Sequence, residues 1–385
     1  MSVIKIAIAS DLHCAYGGDA NSKPSTYLLS DLLKNPINKH PVESIKHIIR
    51  KSNITADLIL CPGDITDRVN KQGLVSGWQF LKEIKEALGA KELIVTIGNH
   101  DVDSKNEHKM GAFELIKNID DSIPTSNQSS NDSYWRYGYC IHEVGNVLLL
   151  NINSCFNHTS PDLAKTTQIQ EQTLKQIEEG LSAIKSDKVR IALCHHHPLH
   201  HSNSSIAFKD SDFIDQSDKL LMLLEKQDFN LVIHGHKHDP RLVYFNSGLP
   251  VLASGSFSAT SNLLDLGAQN TFHLIEIDSV SKKGKIISWI YLPHSGWTQR
   301  LDSYFPCYTG FGCKIPLDDL AMKCKEWFDK QGKDFQLYHD ASLNFPDIDH
   351  LIPSQQEKFN ELMKNTHGLT FEPHLPNKPE RIYKL

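Results

Sequence analysis

Several features that would place the chain in a specialised class of protein are missing from its 385 residues. No stretch approaches the ~18 consecutive apolar residues of a membrane span, so we expect no membrane partner. The net charge is −6 at pH 7 and the pI is near 6.4, which argues against a protein that coats nucleic acid through a basic surface. A local basic groove stays open as an alternative, so nucleic acid is a disfavoured partner.

The chain also lacks closely spaced cysteines. Its eight cysteines are scattered, with no C-x-x-C pair, so they indicate neither a disulfide scaffold nor a zinc knuckle. The segment Ala7-Ile8-Ala9 is similar to a signal cleavage site, but the apolar run before it is short and contains Lys5. These observations predict reduced thiols, a cytoplasmic location and no signal peptide.

Histidine, by contrast, is abundant: there are 21, and eight of them lie within 195–201 and 234–238. Five apolar runs of strand type each end in Asp, Asn or His. One such ending is ordinary turn chemistry, whereas five at the same end of their strands predict a shared site at the carboxyl edge of a buried sheet. The five endings are Asp11-Leu12-His13, Gly63-Asp64, Gly98-Asn99-His100-Asp101, His195-His196-His197-Pro198 and His234-Gly235-His236-Lys237-His238.

Apolar periodicity predicts the elements around these endings. Strands and helices alternate up to residue 238, and strands dominate beyond it, which indicates an α/β fold of two packed mixed β-sheets flanked by helices. Residues 14–40 are predicted as a long loop at the rim of the site, and 122–133 as an exposed polar loop. The predicted helices are 42–52, 72–88, 107–118, 168–185 and 212–227, and the predicted strands include 3–10, 57–61, 92–97, 134–144, 147–152, 188–194 and 229–234.

The ordered endings resemble the calcineurin-like metallophosphoesterases, whose pattern is D-x-H, G-D, G-N-H-D or G-N-H-E, H-x-P and G-H-x-H. All five blocks are present in order over residues 11–238. The resemblance implies an αββα sandwich that holds two transition-metal ions. Ligands of carboxylate, imidazole and amide type without thiolate suit Mn, Fe or Zn. The implied reaction is hydrolysis of a phosphoester by a hydroxide that bridges the two ions.

The resemblance assigns seven residues as metal ligands, which serve two ions through one shared carboxylate. They are Asp11, His13 and His238 for one ion, Asn99, His196 and His236 for the other, and Asp64 for the bridge. His196 is preferred because it stands two residues before Pro198, as in H-x-P. His195 and His197 stay open as alternatives. The non-functional interpretation of each of these histidines is a strand-end residue that hydrogen bonds to the backbone.

Three further residues match family positions that do not ligate metal. His100 matches a histidine near the leaving oxygen, where an imidazolium donates a proton. Asp67 would orient His100, and Arg68 would bind phosphate through its forked guanidinium, as in the family's G-D-x-x-D-R. Val69 stands where the family often has glycine, and a surface ion pair between Asp67 and Arg68 is the alternative.

The substrate class is narrowed by comparison with branches of this family. No tyrosine stands two or three residues after Asp64, which disfavours the purple acid phosphatases, and Gly-Asn-His-Asp disfavours the protein Ser/Thr phosphatases. We therefore expect a phosphodiesterase for a small or cyclic nucleotide-type diester, with a phosphomonoesterase or a nuclease as alternatives. The rival from another class is a metal-free binding scaffold, which normally lacks several ligand positions.

The sequence changes character near residue 300. Two helices are predicted there, at 317–330 and 354–364, followed by a charged segment with several prolines, and none of the site blocks recurs. We predict a metallophosphoesterase catalytic domain over 1–298 and a small C-terminal helical extension over 299–385 with no assigned role.

Overall fold

Two mixed β-sheets pack face to face, and helices cover their outer faces. The computed structural model describes residues 3–17, 25–200, 213–246, 248–260, 263–264 and 267–385. Ile6 and Ile8 of the first sheet meet Leu149 and Ile191 of the second in the buried layer between them. Successive side chains of a strand point to opposite faces, so each strand also contributes to an outer layer. The predicted α/β sandwich of two mixed sheets flanked by helices is confirmed.

The strands have the following bounds in chain order: β1 (Val3–Ile8), β2 (Leu58–Cys61), β3 (Glu92–Val95), β4 (Tyr139–Val144), β5 (Val147–Ile152), β6 (Thr167–Gln168), β7 (Val189–Leu193), β8 (Ile214–Asp215), β9 (Leu231–His234), β10 (Arg241–Phe245), β11 (Leu249–Ala253), β12 (Asn270–Asp278), β13 (Gly284–Leu292), β14 (Gly296–Thr298), β15 (Tyr308–Phe311), β16 (Phe335–Leu337), β17 (Leu369–Glu372) and β18 (Arg381–Lys384). The seven-stranded sheet has the order β14-β13-β12-β1-β2-β3, with β15 also paired to β13. The six-stranded sheet has the order β10-β11-β9-β7-β5-β4.

The α-helices are α1 (Pro41–Lys51), α2 (Lys71–Leu88), α3 (Glu114–Lys117), α4 (Gln128–Tyr137), α5 (Glu171–Ala183), α6 (Ser217–Lys226), α7 (Leu317–Lys330), α8 (Tyr338–Asn344) and α9 (Pro353–Asn365). Local sequence explains the ends of α2: the Asn70 side chain accepts a hydrogen bond from Gly73 N at 2.7 Å, and Gly89 ends the helix with φ of 66°. The predicted helix at 212–227 starts outside the described residues, and α6 covers its later part. In the described part of the chain, no helix has the length and apolarity that a membrane crossing needs.

Three predictions between residues 107 and 144 were wrong in part. The helix predicted at 107–118 is reduced to α3, and α4 replaces the second half of the polar loop predicted at 122–133 and the start of the strand predicted at 134–144. Asn127 caps α4 by accepting from Ser130 N at 2.9 Å. Periodicity failed here because the buried face of α4 consists of Ser130, Asn131 and Tyr134 rather than aliphatic residues.

The C-terminal segment contains the predicted helices as α7 and α9, and it also contains a three-stranded sheet of the order β16-β18-β17. A separate apolar cluster that includes Phe328, Phe359 and Phe371 forms its interior. The domain boundary after residue 298 stays a prediction, because β15 still adds to the seven-stranded sheet. Ion pairs from Lys283 to Asp347 and from Lys285 to Asp349, both at 2.6 Å, connect β13 to this segment.

The Tyr134 hydroxyl joins α4 to the end of β3. It lies 2.8 Å from Thr96 Oγ1 and accepts from Ile97 N at 3.0 Å, and the whole side chain is buried. Tyr134→Phe removes the hydroxyl that accepts from the buried Ile97 N–H, so we expect a loss of about 1–3 kcal/mol in the free energy of unfolding. Urea denaturation measures it. Tyr137→Phe, on the exposed face of the same helix, serves as the control and is expected to change the stability little; equal effects of the two changes would contradict the assigned role of Tyr134.

Candidate metal centre

The five strand endings meet in one place. The loops after β1, β2 and β3, which run parallel in the first sheet, face the loops after β7 and β9 of the second sheet. Carboxyl ends of parallel strands lie at a common edge, and the two packed sheets bring their edges together. The Asp, Asn and His side chains at these strand ends therefore lie close together, as the sequence predicted.

Five of these residues have backbone conformations that non-glycine residues seldom adopt. The φ angles are positive at Asp11, His13, Asp64, His236 and His238, between 46° and 76°. Asp11 and His13 bring their ligand atoms to one point, and left-handed turns rather than an extended chain set their directions. Each such residue costs roughly 1–2 kcal/mol, and strain of this kind clusters at functional sites.

A first group contains Asp11, His13, Asp64 and His238, all of them buried. His13 Nε2 lies 2.9 Å from His238 Nε2 and 3.5 Å from Asp64 Oδ2, while His238 Nε2 lies 3.3 Å from Asp11 Oδ1. Four atoms that can ligate a metal, one from each side chain, thus lie close together. Two imidazole nitrogens and two carboxylates facing one point fit a transition-metal ion.

A second group shares Asp64. The same oxygen, Asp64 Oδ2, lies 3.5 Å from His195 Nε2. His195 Nε2 lies 2.9 Å from Asn99 Oδ1, which in turn lies 3.0 Å from His236 Nδ1. Carboxylate, amide and imidazole atoms again meet at one point, and Asp64 Oδ2 belongs to both groups.

The surroundings of Asp64 leave Oδ2 for this purpose. Its other oxygen, Oδ1, accepts from His100 N at 2.8 Å. Gly98 passes so close to this carboxylate that a Cβ at that position would collide with it. Burial alone would raise the pKa of Asp64, but the neighbouring His195, His100 and His13 lower it. The carboxylate is therefore held in its charged form.

The geometry favours His195 over the expected His196 at this second group. His195 Nδ1 lies 2.8 Å from Pro62 O, so this nitrogen donates to the carbonyl and Nε2 keeps a lone pair for a metal. His196 Nδ1 instead lies 2.8 Å from Ser154 Oγ, and burial lowers the pKa of His196 well below its usual value. His196 remains near, with ligand atoms of His195, His196 and His236 all within 4.8 Å of one another.

Asp67 faces histidine and not arginine. Its Oδ1 lies 3.1 Å from His100 Nδ1 and 3.5 Å from His13 Nδ1, and Ser25 Oγ donates to Oδ2 at 2.6 Å. Burial opposes ionisation of Asp67, but these hydrogen bonds hold its pKa well below the usual range. Burial would likewise lower the pKa of His100, whereas the charge of Asp64 and the bond to Asp67 raise it to about 9. Residues 18–24 of the predicted rim loop lie outside the described residues.

Arg68 lies at the edge of an open pocket of about 290 Å³ that Asn99 and His100 also line. Arg68 and Val69 both have positive φ, 48° and 57°. Val69 N donates to His100 O at 2.8 Å, and His108 Nε2 lies 2.9 Å from Val69 O. The valine thus adopts the conformation for which a glycine would be suited, because backbone contacts on both sides hold it there.

Sequence reasoning assigned no role to Asp101, the last residue of Gly-Asn-His-Asp. It is fully buried and accepts from Thr66 N at 3.0 Å and from Gly98 N at 2.9 Å. Burial and the charge of Asp64 raise the pKa of Asp101 to about 7. Asp101 therefore connects the loop after β2 to the loop after β3 through hydrogen bonds. Its position in Gly-Asn-His-Asp was the sequence feature that could have indicated this role.

A family model described as calcineurin-like phosphoesterase matches residues 4–240. A search of curated proteins finds no match.

Among solved structures, the chain is similar to a purple acid phosphatase from seeds of yellow lupin (Lupinus luteus), with 14% identity, a TM-score of 0.49 and coverage of 75% of this chain and 52% of that chain. It thus spans about half the length of the lupin protein. It is also similar to a dimetal phosphatase from Danio rerio, with 11% identity, a TM-score of 0.47 and coverage of 75% and 99%. Vacuolar Protein Sorting 29 from Cryptosporidium parvum has 13% identity, a TM-score of 0.36 and coverage of 80% and 98%.

Replacing His195 and replacing His196 are expected to affect the metal content of the protein differently. We expect His195→Ala, after dialysis against Mn and removal of free ions, to lose about one of two ions per chain, because Nε2 of His195 points at Asn99 and Asp64. His196→Ala is the matched control and is expected to keep both. Elemental analysis of the purified proteins measures the difference. The reverse order, with His196→Ala losing the ion, would restore the H-x-P assignment.

Proposed function

The chain belongs to the calcineurin-like phosphoesterase family, and we propose that it is a metal-dependent phosphodiesterase for a small or cyclic nucleotide-type diester. The observation that carries this proposal is the position of one oxygen atom. Asp64 Oδ2 lies at the same distance, 3.5 Å, from His13 Nε2 and from His195 Nε2. A carboxylate oxygen between two converging sets of ligands suits a pair of cations.

Each ion would be held by residues of a different group. Asp11, His13, Asp64 and His238 would hold one, and Asp64, Asn99, His195 and His236 would hold the other. Two such ions of Mn, Fe or Zn lower the pKa of water toward neutrality and offset charge on the phosphoryl oxygens. Every ligand position of the family pattern is filled in this chain, which favours an enzyme over a metal-free scaffold.

We assign to His100 the donation of a proton to the leaving group. Asp67 holds Nδ1 of its ring at 3.1 Å, so the other ring nitrogen, Nε2, is the one that faces substrate. The nearby carboxylates of Asp64 and Asp67 favour the imidazolium, which is the form that a general acid needs. The residue therefore suits an ester whose leaving oxygen requires protonation, such as a ribose or alkyl alkoxide.

The pocket beside His100 supports a diester in preference to a monoester. Its lining carries both signs of charge, with Arg68 and Lys105 against Asp103 and Glu107. A diester has one negative charge, shared by its two non-bridging oxygens, and a second organic group that needs room. A monoester dianion requires a more cationic surface. The volume of about 290 Å³ lies near the lower end of the range for small-molecule sites.

A substrate panel tests the proposal. The purified protein would be supplied with Mn, Fe or Zn and given a cyclic nucleotide, an aryl diester and the corresponding aryl monoester. We expect larger kcat/KM for the two diesters. Faster turnover of the monoester would replace the proposal with a phosphomonoesterase. Absence of both turnover and bound metal would support the binding scaffold.

The role of His100 is tested by the leaving group. We expect His100→Ala to keep its metals and to lose ~10²–10⁴-fold in kcat on an alkyl diester, the usual contribution of general acid catalysis. The loss on a nitrophenyl diester is expected to be small, because nitrophenolate leaves without a proton. Asp67→Asn is expected to give a weaker version of the same pattern. Equal losses on both esters would make His100 a phosphate-binding residue, and loss of metal would refute its assignment.

A further inference from the structure

A tight turn follows β5 and brings a cysteine and a histidine together. Cys155 and His158 are three residues apart, and His158 N donates to Cys155 O at 2.8 Å. Both side chains are buried, with exposed fractions of 0% and 2%. A ligand pair at this spacing on a turn is common in metal-binding loops. The pattern C-x-x-H lies outside the five strand endings, so the family resemblance did not point to it.

The third member of this cluster comes from the loop after β7. His196 Nδ1 lies 3.9 Å from Cys155 Sγ, and the rings of His158 and His196 have centroids 5.3 Å apart. Ligand atoms of Cys155, His158 and His196 all lie within 4.8 Å of one another. Tetrahedral zinc with Zn–S of ~2.3 Å and Zn–N of ~2.0 Å requires sulfur–nitrogen separations of roughly 3.5 Å, so a small closure would bring these three ligands within bonding distance of one ion.

We propose that Cys155, His158 and His196 form a third metal site, separate from the two-ion centre and selective for zinc or a similar thiolate-binding ion. A thiolate with two imidazoles prefers such ions, whereas the centre around Asp64, which has carboxylate ligands and no thiolate, also accepts Mn. The proposal goes beyond the hydrolytic function. It needs only that His195, and not His196, serves the Asp64 centre.

Binding must displace existing contacts of these side chains, among them two hydrogen bonds. The Ser154 hydroxyl lies 2.8 Å from His196 Nδ1, and Cys155 Sγ lies 3.7 Å from Ile97 O, to which its thiol donates. A divalent ion would take the place of the thiol proton, which leaves to solvent, and of the serine contact. The ion would then link the turn after β5 to the loop after β7 through a metal–ligand bond on each side. His196 packs against His195 and His236, with ring centroids at 5.0 Å and 4.6 Å, so this bond would brace two residues of the neighbouring centre.

Cobalt distinguishes the two kinds of site in the full-length protein. Co²⁺ bound to thiolate has a strong near-ultraviolet charge-transfer absorption, which the thiolate-free Asp64 centre does not produce. Titration of metal-free protein with Co²⁺ is expected to give this absorption, with saturation at about one thiolate-bound ion per chain. Failure of the wild-type protein to show the absorption would overturn the proposal.

Three variants locate the absorption. Cys155→Ser is expected to abolish it, and His158→Asn, which keeps the thiol, is expected to weaken Co²⁺ binding there by more than the ~10-fold lost when a mere outer hydrogen-bond partner is removed. Cys140→Ser is the matched control, because Cys140 is also buried but belongs to no ligand group among the described residues. Persistence of the absorption in Cys155→Ser, or its loss in Cys140→Ser alone, would contradict the proposal.

The proposed hydrolytic function has a separate readout in the same samples. Cobalt in the Asp64 centre is followed through its visible absorption and through turnover of a diester. A protein with the thiolate absorption but without turnover would contradict the hydrolytic function and leave the third site standing. A protein with turnover but no thiolate absorption would contradict the third site and leave the hydrolytic function standing.

Discussion

The position of the Asp64 carboxylate determines how the two sheets share one site. One of its oxygens is bound by a backbone amide of the next loop, and the other faces His13 from the first sheet and His195 from the second. This arrangement requires the loops after β2 and β3 to approach very closely, which Gly98 permits because it has no side chain. Asp101 then fixes the approach by accepting from an amide of each loop.

Such a centre is costly for the folded protein until it holds cations. Five of its residues have left-handed backbone conformations, and two imidazole nitrogens lie 2.9 Å apart in a buried environment. Ions that bind only the folded chain would offset this cost, since selective binding stabilises the native state. Strain and metal affinity are in this sense two aspects of the same arrangement.

Sequence reasoning located most of the fold and of the candidate site because both depend on local patterns. The helices α1, α2, α7 and α9 lie within one or two residues of their predicted bounds, and so do the strands β1, β2, β3, β5, β7 and β9. The helix α4 was missed because a buried face of serine, asparagine and tyrosine has no apolar periodicity. The choice between His195 and His196 depends on where the chain leaves β7. Counting back from Pro198 could not fix that, since three consecutive histidines give several registers.

The order of the strands has a consequence for how the chain is made. β1 lies between β2 and β12, and Ile6 pairs with Leu58 on one side and with Ile275 on the other. A ribosome must therefore synthesise some 270 residues after Ile6 before β1 has both neighbours. Asp11 and His13 follow closely on that strand, so the emerging chain carries them in an incomplete sheet until β12 has been made. Pairing between segments so distant in sequence also makes folding slow.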